Sequence, residues 1–221
     1  MEFRRARRPE QVAARRAAIL DTAEAMLADR PVAGISLREL SCEVGLARSN
    51  VLRYFDSREA IFLEVLDRRW SAWLDEVEPL VRAARAEPVP YGRAIAVATA
   101  LASSLLRHPL LCELVSGTAG VLERDIGIES ARAREARATA NTDRLADLVR
   151  GELPQLDRAG ATHFATAVVV ITAGLWPSAR PAEAVARAGA EPGRPPAAEA
   201  FATALTEGLV NQLIGLVVRS S

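Results

Sequence analysis

The stretch Ser36–Phe55, SLRELSCEVGLARSNVLRYF, restricts the fold more than any other part of this chain. Ser36 and Glu39 have the form of a capping box, which marks a helix start. Leu37, Leu40 and Val44 follow at helical spacing, so one face is apolar. Gly45 stops that helix, because glycine accepts a positive φ without steric cost. Leu46 plugs the turn, and a second helix is expected from Arg48 to Phe55. Val51, Leu52 and Phe55 form its inner side, and Arg48, Ser49, Asn50, Arg53 and Tyr54 its outer side. That outer face is rich in donors and poor in acid. It suits the major groove of DNA, where arginine reads guanine, asparagine reads adenine and hydroxyls reach phosphates. Asn50 and Arg53 are the candidates for base edges; Ser36, Arg48 and Tyr54 are candidates for backbone contacts.

From Arg16 to about Leu66 the chain resembles the TetR family of one-component transcriptional regulators. The helix AAILDTAEAMLAD, the Gly45-Leu46 turn, the Tyr54-Phe55 pair and the entry Asp56-Ser57-Arg58-Glu59-Ala60 recur in order and at the right spacing. The chain departs from the family at Ala47, where Ser or Thr usually caps the recognition helix, and at Leu52, where an aromatic residue is common. The resemblance implies an all-α protein with an N-terminal three-helix helix-turn-helix DNA-binding domain and a larger C-terminal helical domain for ligand binding and dimerisation. It places Arg58 at a position whose basic side chain touches the DNA backbone. It also implies a ligand cavity, with Trp70, Trp73, Leu74, Leu101, Ser104, Cys112 and Ser116 as candidate lining residues. The last two helices, over 157–176 and 197–218, are those that pair with their copies in the family. The partners implied are a double-stranded DNA operator, a second copy of the chain and an unidentified small-molecule effector.

The expected organisation is a flexible basic arm over 1–9, a DNA-binding domain over 10–56 and a helical domain over 57–221. Net charge is zero across 221 residues, so bulk charge does not make this a polyanion binder. The distribution matters more. Residues 1–16 hold Arg4, Arg5, Arg7, Arg8, Arg15 and Arg16 against Glu2 and Glu10. Arg4, Arg5, Arg7 and Arg8 read either as a solvated tail or as an arm along phosphates or in the minor groove. Arg15 and Arg16 fall near the expected start of the first helix, at Glu10, where a phosphate would offset an unfavourable helix dipole. Val12, Ile19, Ala23, Met26 and Leu27 form that helix's inner face.

Further on, a long helix from Arg58 is apolar on several faces, so it is buried on several faces. Pro79, Pro88 and Pro90 predict a break over 78–90. Helices are expected over 91–107, 109–122 and 129–150, with a helical turn at 182–188. No apolar run is expected to span a membrane, and the basic start lacks the apolar segment of a secretory signal. Cys42 and Cys112 are isolated, which fits a reducing cytoplasm. His108 and Cys112 lie four apart, but a cap or core role outweighs a metal pair; His163 reads as an interface or core histidine. No P-loop, GxGxxG or GxSxG is present, and no cofactor is expected. Two alternatives remain beside a ligand-responsive repressor: a DNA-binding dimer without a small-molecule ligand, and an all-α enzyme with an incidental helix-turn-helix.

Overall fold

The computed structural model describes residues 3–117, 126–180 and 195–220, with residues 3–8 as backbone alone. Its elements are α1 (Phe3–Asp29), α2 (Leu37–Val44), α3 (Arg48–Val51), α4 (Arg58–Ala83), α5 (Gly92–Leu106), α6 (Pro109–Gly117), α7 (Ile128–Glu152), α8 (Arg158–Ala179) and α9 (Ala197–Ser220), with a short 3-10 turn at Val32–Gly34. The all-α architecture is therefore as expected, with no strand among the described residues.

Local chemistry sets the helix ends. The Ser36 hydroxyl accepts from the Glu39 backbone N–H at 3.2 Å, and the Glu39 carboxylate accepts from the Ser36 backbone N–H at 2.8 Å. Gly45 sits at φ 72°, in the left-handed region, and the Leu46 N–H returns to the Ser41 carbonyl at 2.9 Å. That closes the end of α2 as a Schellman-type cap. Asp157 caps α8 through the Gly160 N–H at 2.6 Å. The β-branched run of α8 is helical because Phe164, Val168, Thr172 and Trp176 fall on one buried stripe.

Several boundaries differ from the sequence expectation. Helix α1 begins at Phe3 rather than Glu10 and passes through Pro9. Arg15 and Arg16 therefore lie in mid-helix, and the dipole argument for a phosphate beside them lapses. Val12 is 46% exposed. It lies seven residues before the fully buried Ile19. Helix α4 carries on past Pro79 to Ala83, held by the fully buried Val77 and Val81 on either side of the proline. Helix α3 ends at Val51, the chain turns over 52–54, and Leu52 points outward instead of inward. Helices α8 and α9 are each long and apolar enough to cross a membrane, contrary to the expectation that no run would be. Part of the helix expected over 109–122, and the turn expected over 182–188, lie outside the described residues.

The chain divides into two compact units, 1–69 with 117–137 and 70–116 with 138–221, so α4 and α7 each contribute to both. The division falls at 69/70 rather than 56/57, and part of α7 joins the first unit. In that unit α1 packs on α2 and α2 on α3. Ion pairs Arg16–Glu64 and Arg68–Asp21 tie the start of α4 to α1. In the second unit α9 packs on both α8 and α5. Phe201, Leu205, Leu209, Leu213 and Leu216 are its buried stripe, each such side chain contributing roughly 1.5–3 kcal/mol by burial. Gly208 permits this approach: a Cβ there would stand 3.3 Å from the Ile171 side chain.

Candidate nucleic-acid interface

Helix α3 presents the predicted face. Arg48, Ser49, Asn50 and Arg53 are all exposed, while Val51 and Phe55 are buried beneath them. Ala47 offers no side-chain cap, so backbone bonds alone start the helix: the Ala47 carbonyl accepts from the Asn50 and Val51 N–H groups at 2.8 and 3.2 Å. Tyr54 is half-buried and borders a cleft of about 620 Å³ with Gln11, Val12, Ala14, Arg15 and Ala18. Backbone is described for Arg4, Arg5, Arg7 and Arg8, but their side chains lie outside the described residues.

Two predicted backbone contacts have other engagements. The Ser36 hydroxyl proton is committed to Glu39 Oε2 at 2.7 Å. The Arg58 guanidinium turns inward: Nη1 donates to the Ile35 carbonyl at 2.8 Å, Nε to Glu59 at 2.8 Å, and the group stands 5.7 Å from the centre of the Phe62 ring. Arg58 therefore holds the loop before α2 against the start of α4.

Ser36 and Arg30 together hold the Glu39 carboxyl down to a pKa of about 2, the Ser36 hydrogen bonds being the main cause. The folded value is lower than the ordinary 4.5, so the stabilisation is present above that value and is lost as pH falls from 4.5 towards 2. Urea midpoints measured across this window are expected to fall less steeply with pH for Glu39→Gln than for the wild type. Equal slopes would show that the capping box is not formed in solution.

The residues missed at the sequence level lie beneath the recognition turn. Arg16 donates to the Tyr54 carbonyl and to Glu64 Oε2, the latter at 2.6 Å, and its guanidinium stacks 4.2 Å from the centre of the Phe55 ring. One turn along α4, buried Asp67 accepts from Arg134 at 3.0 Å and Arg137 at 2.6 Å. Burial pushes the Asp67 carboxyl up in pKa, against the pull of these two cations. Asp56 accepts from the Ser130 hydroxyl at 2.6 Å. A signal was present: Glu64 and Asp67 interrupt the apolar run IFLEVLD at one-turn spacing, and Arg134 and Arg137 repeat that spacing.

In the second unit, the candidate ligand-lining residues divide. Trp73 Nε1 donates to the Ser104 hydroxyl at 3.0 Å, and Trp70 meets Trp73 edge-on at 5.2 Å between ring centroids. Leu74 and Leu101 are buried in this unit. Cys112 and Ser116 sit on α6. Cys112 Sγ donates to the Leu105 carbonyl at 3.5 Å, and burial pushes its thiol pKa up to about 12, which makes it an inert core residue. Ser116 donates to the Ala173 carbonyl at 3.0 Å. Trp70 Nε1 and Thr172 Oγ1 are buried without a hydrogen-bond partner among the described residues. A crevice of about 390 Å³ in this unit, beside Val89, Ile95, Thr99 and Ser103, shares no residue with the predicted set. His108 Nε2 lies 3.1 Å from the Glu76 carboxylate and keeps that carboxyl below its ordinary pKa. His163 is exposed on α8. Among the described residues no cluster of three metal-ligating side chains occurs.

A capped helix, a left-handed glycine turn and a short helix with an exposed donor face define a helix-turn-helix DNA-binding protein. Comparison with known proteins narrows the class. Residues 19–65 match the model of bacterial regulatory proteins of the tetR family, and residues 67–220 match that of the tetracyclin repressor-like C-terminal domain. The chain belongs to the TetR family of transcriptional regulators. The HTH-type transcriptional regulator EthR of Mycobacterium tuberculosis is 48% identical over 54 residues, 24% of this chain and 25% of EthR. The match thus spans about a quarter of the curated relative's length. A TetR-family regulator from Pectobacterium atrosepticum has a TM-score of 0.60 at 14% identity, covering 94% of this chain and 96% of that one. The TetR-family repressor FadR of Thermus thermophilus, solved with lauroyl-CoA, has a TM-score of 0.54 at 18% identity, covering 88% and 93%. At these identities the two structures bear on the fold alone.

Proposed function

We propose that the protein is a ligand-responsive repressor that binds a palindromic operator as a homodimer in the cytoplasm, at the chromosome. The exposed Arg48, Ser49 and Asn50 of α3, with Arg53 in the turn that follows, carry this reading. Asn50 and Arg53 read base edges, and Arg48, Ser49 and Tyr54 contact the backbone. Arg4, Arg5, Arg7 and Arg8 extend the contact along phosphates or into the minor groove. Two copies hold their recognition helices roughly 34 Å apart, one turn of duplex.

Helices α8 and α9 supply the dimer contact. Both are apolar along their length, yet only 33% of the residues in the most apolar window of each are buried within one chain. Val170 and Val218 remain exposed there. An apolar face of that size calls for a covering partner. The effector enters the second unit near Trp70, whose Nε1 lacks a partner among the described residues, and binds the DNA-free form more tightly, as linkage requires. FadR, solved with lauroyl-CoA, shows that a chain of similar fold holds an acyl-CoA. A second reading, a dimer without a small-molecule ligand, is favoured by one observation: Trp73 and Ser104 satisfy each other in the packed core.

Selection of bound genomic fragments, followed by titration of the best fragment at two salt concentrations, tests this reading. A palindromic fragment bound far more tightly than random DNA is expected. Weak, salt-sensitive binding indifferent to sequence would overturn it.

A further inference from the structure

The recognition helix is too short to hold itself in place. Helix α3 has four residues and no side-chain cap at Ala47. An isolated helix of that length does not form in water, so its geometry is imposed by what it packs against. At its N-terminal side the imposition comes from the Gly45 turn. On its C-terminal side the chain leaves through the turn over 52–54, and there one side chain gathers the neighbouring elements.

That side chain is Arg16. Its Nη1 donates to the Tyr54 carbonyl, which closes the recognition turn. Its Nη2 pairs with Glu64 on α4 at 2.6 Å. Its Cζ lies over the Phe55 ring, 4.2 Å from the ring centre. A single guanidinium thus joins α1, the end of the recognition segment and α4. Only a planar fork does all three at once; an ammonium is a point donor without a stacking face. The side chain is 35% exposed, and Glu64 is 24% exposed, so the pair is partly shielded from salt.

We propose that Arg16 is a positioning residue for DNA recognition: it sets the angle at which Asn50 and Arg53 are presented without touching DNA itself. Arg16 acts through the Tyr54 carbonyl and Phe55, and Glu64 in turn orients Arg16. The proposal rests on the DNA-reading assignment of α3 made above.

The test uses the full-length chain and the best genomic fragment from the selection, measured against random duplex over a salt series. Arg16→Ala and Arg16→Lys are both expected to lower the ratio of specific to nonspecific affinity about tenfold or more, since a small misplacement disrupts base readout before it disrupts phosphate attraction. The slope of log affinity against log salt is expected to be unchanged in Arg16→Lys, which keeps the charge. In Arg16→Ala it is also expected to be unchanged, because a positioning arginine releases no counterion. A direct phosphate contact would instead lower the Arg16→Ala slope by about one and leave Arg16→Lys close to wild type. Glu64→Gln, which keeps shape and removes the ion pair, is expected to lose discrimination in the same direction by a smaller factor. Should Arg16→Ala prove poorly folded by circular dichroism, Arg16→Lys and Glu64→Gln carry the test. The inference is overturned if Arg16→Lys discriminates as well as wild type, or if the Arg16→Ala slope falls by about one. A wild-type chain with no preferred fragment would overturn the DNA-reading assignment itself, and this inference with it.

Discussion

Alanine at both Asn50 and Arg53 is expected to abolish selection of the preferred DNA fragment while leaving the protein folded. Each good bidentate base contact is worth about 1–3 kcal/mol of discrimination, so the pair removes about 2–6 kcal/mol. Two protomers on a palindromic site double that figure, which then covers the interval of about 4–10 kcal/mol that separates specific from nonspecific binding. Both side chains are exposed on the described surface, so the unfolding free energy is expected to stay within about 0.5 kcal/mol of wild type. Binding to random duplex is expected to persist, because Arg48 and the N-terminal arginines still attract phosphates. Competition titrations of the double variant against wild type, with random duplex as competitor, measure this. Retained selection at wild-type strength would show that base readout lies elsewhere.

Trp73→Ala carries the largest expected loss of stability. The indole is only 1% exposed. It meets Trp70 edge-on and donates to a Ser104 hydroxyl that is itself fully buried. Truncation of a core aromatic costs about 3–5 kcal/mol. The orphaned hydroxyl adds about 1–3 kcal/mol unless water enters the cavity. Trp73→Phe separates the two effects: it keeps much of the volume and leaves Ser104 unpaired, so its cost is expected near the second figure plus a smaller cavity term. Urea denaturation followed by circular dichroism gives both values. A loss below about 1 kcal/mol for the alanine variant would show that the site relaxes freely, as a preformed cavity would allow.

The helix-turn-helix was legible because its determinants are local. Ser36 and Glu39 find each other within one turn, and Gly45 needs only its own backbone to turn left-handed. The apolar spacing of Leu37, Leu40 and Val44 is a property of one helix. For the same reason the exposed face of Arg48, Ser49 and Asn50 followed from period; past Val51 the period fails, because the helix ends, Arg53 lies in the turn and Leu52 points outward. The ends of elements were less legible. Whether α4 passes Pro79 depends on the packing of Val77 and Val81, which offsets a lost hydrogen bond, and a window of sequence does not show that packing.

Beyond the matching spacing of Glu64 and Asp67 with Arg134 and Arg137, the commitments of the arginines were not legible. All the chain's basic side chains are arginine, so residue type alone distinguishes none of them. Arg58 looked free for DNA and is held by the Ile35 carbonyl, 23 residues away in the chain. Arg16 looked like a phosphate contact and reaches the Tyr54 carbonyl and Glu64, 38 and 48 residues away. Asp67 is one of two acids in an apolar run, and its partners lie 67 and 70 residues on. The sequence by itself determined the helices, the turn and the exposed donor face, because those depend on interactions spanning a turn or two of chain. The tertiary structure alone decided which charges face solvent and which hold the recognition turn, because a guanidinium pairs with whatever the fold brings within hydrogen-bond reach.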